Sequence, residues 1–163
     1  MVVRFPAPDD PWSKHGAVVS LEASGLASRL FGYTLGGGQL GLRIGGEGPR
    51  AAWAITTDLL LGRTDEGLTL ADLRWGADVQ ARLGSRVRLG GGIDFGALMI
   101  RRATTGAAMS DFVVGPHAVG TVDLGRPGPG TMPYFAARVG ADFLPAQNGA
   151  AMLTASLAVG VRL

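Results

Sequence analysis

Residues 150–163 read AAMLTASLAVGVRL. Leu153, Ala155, Leu157, Val159, Val161 and Leu163 fall on one side of an extended chain, and Thr154, Ser156, Ala158, Gly160 and Arg162 on the other. Successive side chains of a strand point to opposite faces, so this period of two predicts a β-strand with one apolar face and one small or polar face. The same alternation recurs upstream, roughly over 17–29, 38–45, 51–62, 69–82, 87–99, 110–124 and 133–143. Between these segments lies turn chemistry, at 45–49, 64–67, 84–85, 125–130 and 145–149. Connections this short predict antiparallel neighbours. An even number of evenly spaced strands predicts an all-β, eight-stranded antiparallel up-and-down barrel, since closure removes every exposed strand edge.

Composition agrees with one domain. The chain has 163 residues, with 47% apolar but only 17% charged, and 27 glycines; soluble domains carry about 25% charge. Residues 1–15 hold Pro6, Pro8, Pro11 and the pair Asp9-Asp10, and read as an extended N-terminal arm, leaving 16–163 for the barrel. The opening Met-Val-Val-Arg-Phe-Pro has too short an apolar run for a signal peptide, so if the protein is exported its signal has been removed or lies upstream of residue 1. No segment has the apolar length of a transmembrane helix. Without cysteine there is neither a disulfide framework nor a Cys-based zinc site. A net charge of +2, with arginines alternating with aspartates, excludes the basic patch that nucleic acid requires.

The decisive question is which solvent each face meets. In a soluble barrel, such as a lipocalin-like carrier of an apolar ligand, the apolar face points inward. In a transmembrane barrel it meets lipid, and the polar face fills the lumen. Three features favour lipid. The polar face mixes charge with glycine (Gly41, Gly76, Gly90, Gly92, Gly96, Gly140, Gly160), which suits the narrow interior of eight strands. Its charges have both signs and would form a lumen network: Glu22, Arg43, Asp58, Asp72, Arg74, Asp78, Arg82, Arg88, Asp94, Asp111, Asp123, Arg138, Asp142 and Arg162. Most segments also reach the 9–11 residues that a tilted membrane strand needs. The opposite face is nearly free of charge. Arg29, Arg63 and Arg101 fall on it only at strand ends, whereas an arginine at mid-bilayer costs about 2–4 kcal/mol. Trp53, Trp75, Phe95, Phe112, Phe135, Phe143, Leu157 and Val159 are therefore assigned to lipid. Phe31, Phe112 and Phe143 would mark one rim, and Trp53 and Phe135 the other.

On this pattern the chain resembles the small eight-stranded barrel proteins of the bacterial outer membrane, over about residues 17–163. Residues 153–163 resemble the C-terminal strand that such proteins present to their assembly machinery, with Leu163 standing where the family usually ends in an aromatic residue. The resemblance implies an outer-membrane location, membrane lipid and the assembly machinery as partners, and a monomer. It also implies periplasmic turns at 45–50, 83–86 and 125–131, and external loops at 31–37, 63–67, 101–109 and 144–150. Loops this short offer no large surface to a protein partner.

Catalytic, cofactor and metal residues are all read as absent. Gly36-Gly37-Gly38-Gln39-Leu40-Gly41 has the GxGxxG spacing, but a strand follows it where a dinucleotide site needs a helix, so it reads as a glycine-rich loop entering the second strand. His117 falls on the lumen phase and reads as a structural histidine. Some outer-membrane barrels are lipid A deacylases with a His-x-Ser pair facing lipid; here Ala118 and Val119 follow His117, so that enzyme is not implied. The expected role is a structural one with a largely plugged lumen, the alternatives being the soluble carrier or a narrow small-solute pore. Parity sets one finer expectation. Val79 and Ala81 share a face with Val87 and Leu89, so the hairpin between them needs a three-residue loop or a bulge. One allowed register would set Arg74 opposite Asp94.

Overall fold

A computed structural model describes residues 16–125 and 131–163. The predicted arm over 1–15, and the centre of the predicted turn over 125–131, lie outside the described residues. Eight strands follow in order: β1 (Gly16–Leu30), β2 (Tyr33–Glu47), β3 (Ala51–Arg63), β4 (Leu68–Leu83), β5 (Val87–Arg102), β6 (Ala108–Asp123), β7 (Met132–Leu144) and β8 (Ala150–Arg162). Each pairs antiparallel with its sequence neighbours, and β8 returns to β1 to close the barrel. The alternation at the C-terminus thus meets both partners: Val159 lies across from Ala23 on one side and Phe135 on the other.

Two boundaries differ from the sequence reading. β2 starts at Tyr33, so the expected loop over 31–37 shrinks to Phe31 and Gly32, both at positive φ. The GxGxxG segment is therefore strand, not the loop its glycines indicated. Ladder bonds on both edges hold Gly36, Gly37 and Gly38 extended, and this tertiary pairing outweighs the poor strand propensity of glycine. Ala108 and Met109, placed in the 101–109 loop, open β6 instead.

The β4–β5 connection has the three residues that parity demands, Gly84 to Arg86, with Leu83 across from Val87. The register pairing Arg74 with Asp94 does not form. Arg74 lies opposite Gly96, and Asp94 opposite Gly76. The register that pairs them would have set the three-residue loop at 83–85, one position earlier than the observed one.

Side chains sort by phase around the whole wall. Trp53 (56% exposed), Trp75, Phe95, Phe112, Phe135, Phe143, Leu157 (74%) and Val159 all point outward. Inside there are two regions. The half nearer the β1–β2 turn is apolar, a cluster of Leu26, Leu30, Leu35, Leu60, Leu70, Leu98, Ile100, Val113, Leu144 and Met152. The other half holds the charges. The wall is close-packed against this filling. Tyr134 lies across from Gly160, and a Cβ at residue 160 would stand 2.3 Å from the ring's Cζ. Gly160→Ala is expected to displace that ring from Glu22 and cost about 1–3 kcal/mol in an unfolding titration; an unchanged midpoint would show that the ring has room to move.

Candidate functional site

The barrel interior is built from the inward phase of every strand. Near the end opposite the β1–β2 turn, Glu47 gathers three arginines. Arg82 and Arg88 reach its Oε1 at 2.5 and 2.6 Å, and Arg162 reaches its Oε2 at 3.7 Å. Arg88 also donates to both carboxylate oxygens of Asp123, at 3.1 and 2.6 Å. Arg162 donates to Asp123 at 3.3 Å and lies 5.2 Å from the Tyr134 ring centre.

One layer further in, Arg43 donates to both oxygens of Asp78 at 2.8 and 2.6 Å, and to Glu22 at 3.3 Å. The Tyr134 hydroxyl donates to the same Glu22 oxygen at 2.6 Å. Gln80 donates to Asp78 at 3.1 Å and accepts from Thr121 at 3.0 Å. Deeper still, Arg138 meets Asp58 at 2.9 Å, and His117 Nδ1 lies 2.9 Å from Asp94. Arg74 bridges Asp72 at 2.7 Å and Asp142 at 2.8 Å. Beyond this layer the apolar cluster begins.

Burial of charge costs several kcal/mol per ion unless partners compensate, and here every one of these arginines has a carboxylate within 4 Å. Arg43, Arg88 and Arg162 each serve two carboxylates, and Tyr134, between Arg162 and Glu22, and His117, between Asp78 and Asp94, join one layer to the next, so a mesh links strands far apart in sequence. The free spaces within it are small: about 40 Å³ between Arg43, Glu47, Arg88 and Tyr134, and about 10 Å³ between Gln39, Arg74 and Arg138.

All fourteen residues assigned to the lumen network lie on the inward phase, and thirteen make ion pairs there. Asp111 does not. Its Oδ1 accepts from the backbone N–H groups of Phe112 (2.7 Å) and Ala146 (3.2 Å), so it fastens the β7–β8 connection to β6. It sits beside the apolar cluster, away from the arginines of the mesh. Glu47 belongs to the mesh although its sequence neighbourhood, Gly45 to Pro49, reads as a turn. Alternation alone does not indicate the apolar half of the lumen, but Leu59-Leu60-Leu61 and Ala97-Leu98-Met99-Ile100 carry a signal for it. Runs that are apolar on both phases belong to strands with two dry faces. Among the described residues no cluster of His, Asp or Glu has a metal-binding arrangement.

No protein-family description matches this chain, and no curated protein does. Solved structures do. The barrel is similar to Neisserial surface protein A, with a TM-score of 0.62 and 12% identity, covering 92% of this chain and 98% of that one. It is similar to Ail, the attachment invasion locus protein of Yersinia pestis, with a TM-score of 0.56 and 16% identity, covering 90% of this chain and 97% of that one. At these identities the likeness is one of fold: a closed eight-stranded antiparallel barrel of the kind found in small outer-membrane proteins.

Proposed function

We propose that this chain is an integral protein of a bacterial outer membrane, a monomer with a lumen closed by its own side chains and a structural, non-catalytic role. The observation that carries the reading is the outer wall. Between the strand ends its residues are apolar or small, and arginine enters only at Arg29, Arg63 and Arg101. Leu40, Ile44, Trp53, Ile55, Val79, Ile93 and Val139 each leave more than half their surface uncovered. A soluble domain rarely exposes contiguous apolar area beyond a few hundred Å². A belt around a whole barrel is accounted for by acyl chains.

Closure of the lumen is supported by the ion mesh and by the apolar cluster stacked on it. An eight-stranded wall leaves room for side chains but not for a water column. The partners on this reading are membrane lipid and, through β8, the machinery that assembles such barrels.

Membrane fractions from cells exporting the chain test the location. The protein should stay in the pellet through alkaline washing and leave it only with detergent. Monodisperse behaviour in detergent-free buffer would instead support the soluble carrier. In planar bilayers, the purified barrel should add no ion conductance above the lipid background. Discrete current steps would replace the closed lumen with the narrow pore.

A further inference from the structure

We infer that the mouth at the β1–β2 end of the barrel binds a single alkyl chain bearing an anionic head group. The β1–β2 turn and the β5–β6 loop stand on opposite walls and enclose a cavity of about 270 Å³ between them. The floor is Leu30, Leu35 and Ile100, all buried, and the sides are Leu68 and Met109. Tyr33 and Arg102 line its upper edge, each on the inward phase of its strand.

This arrangement differs from the rest of the interior in one respect. Further down, each arginine named in the mesh is paired with carboxylate. Among the described residues, no side chain pairs with the Arg102 guanidinium, and what lies beneath it is hydrocarbon. An apolar basin with one cation and one phenol at its lip matches an amphiphile with a carboxylate or phosphate head. Leu70, Leu98 and Val113 are buried in the same apolar cluster as that floor, so the basin accepts a chain end and does not let the chain through. Each methylene that enters should tighten binding about fourfold, until the floor is reached. The inference rests on the membrane reading only for the side the mouth faces; the cavity belongs to the barrel itself.

Photolabelling tests it. The barrel is placed in nanodiscs of zwitterionic lipid and exposed to decanoate with a diazirine at its far end. Decanol with the same diazirine, and phosphatidylglycerol with that diazirine on an acyl chain, serve as parallel probes. Adducts from an acidic probe are expected around residues 30–35 and 98–109, and decanol should label there about fivefold more weakly. Arg102→Gln should reduce the acid to the level of the alcohol. Met109→Trp, which fills the cavity from the inward phase of β6 and keeps Arg102, should abolish labelling of the pocket. Whichever acidic probe labels the mouth identifies the source as free amphiphile or bilayer lipid, and either supports the inference. Adducts confined to outward residues such as Leu73 and Leu157 would overturn it, as would equal labelling by acid and alcohol. Co-elution of the barrel with nanodiscs, scored in the same sample, judges the membrane reading separately. A barrel that stayed outside them would be labelled in buffer, and the same adducts would decide the pocket.

Discussion

Replacing Arg43 by alanine should lower the barrel's unfolding free energy by about 3–5 kcal/mol. Arg43 is buried, and its guanidinium is the main partner of two carboxylates, Asp78 at 2.6 Å and Glu22 at 3.3 Å. Without it, Asp78 keeps only the Gln80 amide at 3.1 Å and the His117 ring at 4.0 Å, and Glu22 keeps the Tyr134 hydroxyl. Two anions would remain in a space where only about 40 Å³ is open to water. The loss comes from stranding charge more than from losing attraction. The triple variant Arg43→Met, Glu22→Gln, Asp78→Asn should therefore recover most of it, because the neutral groups need no counter-charge. Denaturant titration of the refolded barrel, followed by tryptophan fluorescence, measures both. A loss below about 1 kcal/mol for Arg43→Ala is what a water-screened pair gives. That result would mean solvent fills the lumen, and the pore reading would regain its ground.

The same mesh shows where sequence reading succeeds and where it stops. Period-two alternation tells which phase a residue occupies, and phase alone brings Asp58, Arg74, Asp78 and Arg138 inside. It does not tell height along the barrel. Arg138 meets Asp58 across strands 80 positions apart in sequence, a pairing set by the accumulated stagger of the ladders around the wall. A shift of two residues preserves every phase and changes every partner, which is how Arg74 and Asp94 looked like neighbours. Height also separates Asp111 from the arginines and brings Glu47 to them. Turn chemistry at Gly45 and Gly46 hid Glu47, although both glycines serve the strand. At Gly45 a Cβ would stand 1.9 Å from the Trp53 carbonyl oxygen, so the position demands glycine for close approach of β3 and not for a turn. The three glycines at 36–38 misled in the same way, because their composition signals a loop while their ladders make them wall.

Arginine at residue 77 is the sharpest test of which face meets lipid. Ala77 points outward near the middle of β4, opposite Ile55 and Ile93, and its small side chain makes little packing to lose. Ala77→Arg should destabilise the barrel in a bilayer by about 2–4 kcal/mol, the cost of a guanidinium at the bilayer midplane. Ala81→Arg lies on the same face two residues from the end of β4, where the side chain reaches the interface, and should cost only about 0–1 kcal/mol. Strand propensity and lost packing are nearly equal at the two sites, so the difference isolates depth. Paired denaturant titrations in phospholipid vesicles measure it. A soluble barrel places both residues in water, and substitutions there change stability within about 0.5 kcal/mol. Equal small losses at 77 and 81 would thus remove lipid from the outer wall, and with it the reason this chain can leave Leu40, Ile55 and Ile93 uncovered.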